Sequence, residues 1–177
     1  MEHKFIVSSS PHIHQKKAVS NIMIDVIIAL LPATIIGIYY FGVNALSVIL
    51  ISILSCVLFE YIYQKAMKKT VTVNDCSAIV TGLLLGLNLP PAIPLWMVVV
   101  GSAFAIIIVK QLYGGIGKNF LNPALAARCF MIAAWAGEMT TFSEPLLGAD
   151  AISQATPLAV LKGTTTGELP SIISAFL

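Results

Sequence analysis

Among the ionisable side chains in the long apolar stretches of this 177-residue sequence, three are candidates for a functional role, because a charge at membrane depth is costly and is often functional. Arg128 lies about halfway along the last such stretch, whereas Asp25 and Glu60 lie nearer the ends of theirs. Arg128 could reach toward the cytoplasmic face, pair with a carboxylate or face a bound ligand, and all three readings stay open here. For Asp25 and Glu60 we expect solvation at the membrane interface.

Thr156 precedes Pro157 in a polar stretch near the end of the sequence. Threonine is a common N-cap and proline is common at the first helical position, so the pair predicts the start of a short apolar helix that runs through Lys162. The free amides and the dipole at a helix N-terminus also favour a phosphate. The local pattern therefore fits both a purely structural cap and an anion site near Thr156.

Two glycine motifs have simpler explanations than a nucleotide site. The run GGIGK at residues 114–118 is not a P-loop, because Leu112 stands where the first glycine is required and Asn119 stands where Ser or Thr is required. Gly82 and Gly86 form a GxxxG pair, which is typical of closely packed membrane helices.

The histidines and cysteines do not form a recognisable metal motif. His12 and His14 have no carboxylate or thiol close by in sequence, and the three cysteines show no CxxC spacing. We expect neither a zinc site nor a disulfide framework.

The composition indicates a membrane protein, since 58% of the residues are hydrophobic and only 10% are charged. That much apolar surface exceeds what a single soluble core can bury, so lipid must solvate it. The net charge of +2 is small and the lysines are not grouped on one face, which excludes a nucleic-acid-binding surface.

The apolar runs predict an all-α integral membrane fold with about five transmembrane helices. A leader (residues 1–20) precedes the five-helix bundle (21–136), a polar loop follows it (137–170), and an apolar run starts at residue 171 and is too short to cross a bilayer. We therefore expect that the sequence is part of a longer chain. The five spans are predicted at about residues 21–41, 45–63, 76–89, 95–112 and 119–135.

The lysines in the short connecting segments predict the orientation of the bundle, because cytoplasmic loops carry the excess of Lys and Arg. They occur before span one, between spans two and three, and between spans four and five, which are all on one side. The N-terminus is then cytoplasmic and the 137–170 loop extracytoplasmic. The lysines counted are Lys4, Lys16, Lys17, Lys65, Lys68, Lys69, Lys110 and Lys118.

Several stretches, in their order and spacing, resemble the D subunit of the Rnf electron-transport complex and its relative, the B subunit of the sodium-translocating NADH:quinone reductase. The stretches are SPHI (10–13), IMIDV (22–26) with Pro32, DCSA (75–78), TGLLL (81–85), NLPP (88–91) and GGIGKNFLNPA (114–124), with Arg128 following.

The resemblance implies a flavoprotein subunit. In this family a Ser-Gly-Ala-Thr type motif carries FMN through a phosphoester bond to its threonine, which corresponds here to Thr156, with Gln154 in place of the usual glycine. Asp150 and Ser153 would shape the loop, and Arg128 is a further candidate for flavin binding. A flavin transferase working outside the cytoplasm would attach the FMN, and the full-length chain could also hold riboflavin or a second flavin.

The resemblance also implies the fold and the setting. The expected architecture is the first half of a urea- or ammonium-channel-like inverted-repeat bundle in a prokaryotic cell (inner) membrane, with the other Rnf subunits as partners. Such a subunit would transfer electrons coupled to Na⁺ or H⁺ movement without being an enzyme on its own. A non-redox transporter or channel of similar architecture and a scaffold subunit without cofactor are the alternatives.

Overall fold

The computed structural model describes residues 19–69 and 71–141. These residues are mostly helical, and no strand occurs among them. The helices are α1 (Val19–Ala66), α2 (Ser77–Leu87), α3 (Leu95–Gln111), α4 (Pro123–Ala134) and α5 (Ala136–Met139), with a 3₁₀ turn at Val73–Asp75. The predicted all-α fold is confirmed at this level.

Helix α1 is two helical segments joined at a kink. Its 48 residues would extend about 72 Å as one straight helix, over twice the roughly 30 Å hydrocarbon core of a bilayer. Gly42 interrupts the helix with φ 66° and ψ −148°, a conformation that glycine adopts at little cost. The kink falls in the turn predicted between spans one and two.

The two segments of α1 differ in how they pack. Between residues 19 and 44 no side chain is buried, whereas the segment after Gly42 supplies the buried Ala45, Val48, Ile49 and Ser52. The second segment therefore contributes to the core of the described bundle, whereas the first buries none of its side chains.

Helix α2 packs closely on this second segment because of its glycines. A methyl group on Gly82 would come within 2.6 Å of Ile53 Cα, and one on Gly86 within 2.9 Å of Ile49 Cα. Ser52 uses the close approach to donate a hydrogen bond from Oγ to the carbonyl of Gly82 (2.8 Å). The packing role predicted for the GxxxG pair is thus what the structure shows.

Helix α3 changes its hydrogen-bonding pattern halfway along. Residues Leu95–Ala103 are α-helical, whereas Phe104–Gln111 form a π-helix. The amide of Leu112 accordingly bonds the carbonyl of Ile107, five residues back. Wide turns of this kind are rare and often occur at functional sites.

Helix α4 begins later than the predicted fifth span. Asn122 is its N-cap, with Oδ1 accepting hydrogen bonds from the amides of Ala124 (3.0 Å) and Leu125 (3.4 Å), and Pro123 occupies the first helical position. Residues 119–121 therefore precede the helix. Similarly, the first residues of the predicted 137–170 loop belong to α5.

By length and apolar composition, α1 is the one described helix able to cross a membrane, while α2, α3 and α4 contain 11, 17 and 12 residues. Together with these shorter apolar helices, it fits a membrane protein.

Candidate functional site

A buried ion pair lies between α1 and α3 at one end of the bundle. The Lys110 ammonium is 2.8 Å from both Oε1 and Oε2 of Glu60 and donates a third hydrogen bond to Ser77 Oγ at 2.6 Å. The two charged side chains are only 2% and 1% exposed. All three protons of the ammonium thus have an acceptor, which is the condition under which a buried charge pair is tolerated.

Two glutamines complete the hydrogen bonding of this carboxylate. Glu60 Oε1 accepts from Gln111 Nε2 at 2.7 Å and from Gln64 Nε2 at 3.2 Å. Gln64 also bonds Thr72 twice, donating to Oγ1 (2.8 Å) and accepting from the amide (2.9 Å). The network therefore ties α1 to the segment that leads into α2.

Local structure places each member of the network. Asp75 Oδ1 accepts from both the amide and the hydroxyl of Ser77, which orients the hydroxyl oxygen toward Lys110. Lys110 and Gln111 are consecutive, yet both reach the same carboxylate, at the last turn of the π-helical segment of α3. Consecutive residues of a regular α-helix diverge by about 100°.

A polar cavity of about 400 Å³ opens onto this network. We call this end of the bundle, formed by residues 60–69, 71–77 and 110–118, the lysine end. The cavity is lined by Glu60, Gln64, Lys69, Thr72, Asp75, Gln111, Gly114, Gly115 and Ile116.

These contacts correct two expectations from the sequence. Glu60 is not solvated at an interface, because it is buried and paired inside the bundle. Lys110 is not a loop lysine, because it is buried on α3, so it does not count toward the orientation of the chain. The signal available in the sequence was that two opposite charges, Glu60 and Lys110, lie near the lysine-rich ends of two apolar spans.

Arg128 lies toward the opposite end of the bundle. Its Nη1 donates a hydrogen bond to Oδ1 of Asn88 (2.8 Å), and Asn88 follows the last residue of α2. The guanidinium therefore neither extends toward the lysine end nor pairs with a carboxylate in the described part of the chain. Its side chain is exposed, so the reading as a ligand-facing residue stays a prediction.

A second cavity, of about 270 Å³, surrounds Arg128 and Asn88. We call this the proline end, after Pro90 and Pro91, which also line it. Thr141 is part of the same lining and is the last described residue before the 142–177 segment. Asp150, Ser153 and Thr156 fall in that segment, outside the described residues.

The sequence matches the model of the NQR2, RnfD, RnfE family over residues 6–177. The chain belongs to this family. Among curated relatives, it is 53% identical over 171 residues to the D subunit of the Na⁺-translocating ferredoxin:NAD⁺ oxidoreductase complex of Acetobacterium woodii. That match covers 96% of the chain and 53% of the relative.

Two further relatives carry similar names. The match to the D subunit of the proton-translocating ferredoxin:NAD⁺ oxidoreductase complex of Clostridium ljungdahlii has 45% identity over 159 residues, 89% of the chain and 48% of the relative. The match to the D subunit of the ion-translocating oxidoreductase complex of Methanosarcina acetivorans has 41% identity over 167 residues, 89% of the chain and 58% of the relative. The chain thus spans about half the length of these relatives, and the family resemblance drawn from its motifs is confirmed.

Proposed function

We propose that this member of the NQR2, RnfD, RnfE family acts within a membrane subunit of an ion-translocating ferredoxin:NAD⁺ oxidoreductase complex. The observation that carries the proposal is the 53% identity over 96% of the chain to a D subunit of that description. The subunit would pass electrons between neighbouring subunits rather than catalyse a reaction alone. The coupling ion is left as Na⁺ or H⁺, because the names of the relatives include both.

Within that role, we assign Thr156 as the residue that carries FMN through a phosphoester bond between its hydroxyl and the flavin phosphate. The assignment rests on the motif around Thr156 and on the favourable position of a phosphate at a helix N-terminus. Asp150 and Ser153 would shape the same loop. When bound, the flavin supplies the electron-transfer chemistry, while the protein supplies position and charge environment.

Among the described residues, the position of Arg128 supports this assignment. Arg128 presents an exposed guanidinium at the proline end, beside Thr141, from which the chain continues toward Thr156. A guanidinium there can balance part of the negative charge of a phosphate or of a reduced flavin. The cavity of about 270 Å³ is smaller than most cofactor pockets, so this half of the fold would form one wall of the flavin site.

The same proposal includes the setting of the subunit. The lysine distribution supports a cytoplasmic N-terminus and an extracytoplasmic Thr156 loop, and the family resemblance supports a prokaryotic cell membrane. Removing Lys110 from the count leaves lysines on the same side in all three segments, so the proposed orientation is unchanged. The remaining Rnf subunits and a flavin transferase are the proposed partners, and a channel-like inverted repeat is the proposed full-length architecture.

A Thr156→Val variant tests the flavin assignment. The full-length subunit is produced together with a flavin transferase, and its peptides are mapped by mass spectrometry. We expect an FMN increment on the Thr156 peptide of the parent protein and none in Thr156→Val, while Thr164→Val, which alters a threonine of the same loop, keeps it. Covalent flavin retained in Thr156→Val would refute the assignment.

A non-redox transporter or channel of the same architecture is the second candidate, and it is favoured by one observation. The lysine end has a polar cavity that leads to buried polar groups, an arrangement also suited to the transport of small ions. Parent protein that stays free of flavin, despite a competent transferase, would favour this candidate or a scaffold subunit.

A further inference from the structure

A stripe of polar and small side chains leads from the lysine-end cavity into the bundle. Gln64, Glu60, Cys56 and Ser52 recur every four residues along α1 and so share one face of the helix. They are 3%, 1%, 0% and 0% exposed, respectively. Only Glu60 and Gln64 border the cavity, so the stripe continues beyond the place where the cavity ends.

Ser102 on α3 extends this polar character into the interior. It is fully buried and lies beside the thiol of Cys56. The Cys56 thiol is its nearby polar group, and no other partner is found within residues 19–69 and 71–141. A buried hydroxyl that faces only a thiol is weakly satisfied, because sulfur is a poor hydrogen-bond partner. The Ser102 hydroxyl and the Cys56 thiol thus form a small polar site beyond the ion pair. Water or a small cation would bind there if either could pass the pair.

The ion pair stands between the cavity and this spot. Glu60 lies one helical turn from Cys56 on the same face of α1, on the side toward the cavity. The ammonium of Lys110 uses all its protons on Glu60 and Ser77, and Oε1 of Glu60 already accepts three hydrogen bonds. The ammonium and Oε1 are thus fully engaged, so a cation arriving from the cavity would find only the acceptor capacity that Lys110 leaves on Oε2.

We propose that the Glu60–Lys110 pair is a plug that closes the polar stripe between the lysine-end cavity and the bundle interior. Its closing action comes from the hydrogen bonds, which hold both side chains in place between the cavity and the buried stripe. Opening the plug would leave two buried charges without partners, which is strongly unfavourable. The inference concerns the permeability of the bundle and does not depend on whether Thr156 carries flavin.

The reactivity of the Cys56 thiol can report whether the plug is open or closed. Ag⁺ is a small monovalent cation that binds thiolates strongly, replacing the thiol proton, which is released to solvent. The full natural chain is kept in its membrane assembly, in open membrane fragments that expose both faces to Ag⁺. After quenching and denaturation, a fluorescent maleimide counts the thiols that Ag⁺ did not reach, and a Cys56→Ala variant provides the blank for all other cysteines.

We expect Cys56 to be protected in the parent protein and to react many-fold faster with Ag⁺ in Lys110→Ala. The double variant Glu60→Gln/Lys110→Ala should also react quickly. It leaves no unpaired charge, and so it decides the question if the single variant does not fold. Lys68→Ala, which alters an exposed lysine at the same end, is the matched control and should protect Cys56 like the parent protein.

Three results would overturn the plug. Cys56 could react as fast in the parent protein as in the variants, or it could stay protected in a folded double variant. High Na⁺ could also accelerate the reaction in the parent protein, which would mean that cations displace Lys110 and that the pair is an exchange site. Because none of these readings involves flavin, a failed plug is distinct from a failed Thr156 assignment.

Discussion

The Lys110 ammonium lies 2.8 Å from both carboxylate oxygens of Glu60, although the two residues are 50 positions apart in the chain. Both side chains are at most 2% exposed. Because both side chains are buried, each charge is tolerated only while the other is present.

We expect Lys110→Met to destabilise the protein by about 3–5 kcal/mol, since it leaves Glu60 as a buried charge without its partner. The double variant Glu60→Gln/Lys110→Met should lose much less, because it removes both charges. The free energy of unfolding is measured on the purified subunit in mixed detergent micelles. Lys68→Met is the control for loss of an exposed lysine, and equal losses in the single and double variants would show that the pair is not coupled.

Gly82→Ala should destabilise the bundle by about 1–3 kcal/mol through overpacking. The added methyl would lie 2.6 Å from Ile53 Cα, so α1 and α2 would have to separate. Gly37→Ala is the matched control, because no atom lies within 4 Å of the added methyl there. The same unfolding measurement compares them, and a loss as large at Gly37 would contradict close helix packing as the cause.

Asn122→Ala should destabilise the protein by about 0.5–2 kcal/mol, because the amides of Ala124 and Leu125 lose their acceptor at the start of α4. Asn122→Ser keeps a capping oxygen and should restore most of the loss. Amide hydrogen exchange over residues 124–127 locates the effect. Faster exchange that is equal in both variants would mean that the side chain of Asn122 acts in some way other than capping.

If Thr156 carries FMN as proposed, Arg128→Gln should leave the flavin in place but lower its reduction potential, because removing a positive charge from the proposed flavin site makes electron uptake less favourable. A change of about 1.4 kcal/mol corresponds to about 30 mV for a two-electron couple. Asn88→Ala should shift the potential in the same direction by less, since Asn88 only orients the guanidinium. Spectroelectrochemical titration measures the potential, and an unchanged value in Arg128→Gln would remove Arg128 from the flavin site.

Local chemistry made several elements predictable from the sequence. Gly42 allowed the break in α1, and the cluster at Pro90 and Pro91 stopped α2 near its predicted end, because both residues act on the backbone where they stand. The start of α4 was also encoded locally, by Asn122 and Pro123, but the predicted span began earlier because Phe120 and Leu121 just before them are apolar.

Contacts between distant residues were not predictable in the same way. Glu60 and Lys110 each looked like a charge near a helix end, and only the packing of α1 against α3 brings them together. Arg128 was at the middle of its span, so the sequence could not show which end its guanidinium would reach. The prediction for Thr156 rests on a motif and stays a prediction.

The π-helical segment of α3 is held near both of its ends by contacts with other helices. Phe104, where the π-helix begins, stacks on Phe130 with ring centroids 4.3 Å apart, and Lys110 near its end bonds Glu60. A π-helix holds one more residue than an α-helix over the same arc, so deleting one residue between the anchors would restore a regular α-helix and keep both anchors near their partners. Adding a residue would rotate one anchor away from its partner, so the stretch from 105 to 109 should tolerate apolar substitutions, or the loss of one residue, better than it tolerates an added residue.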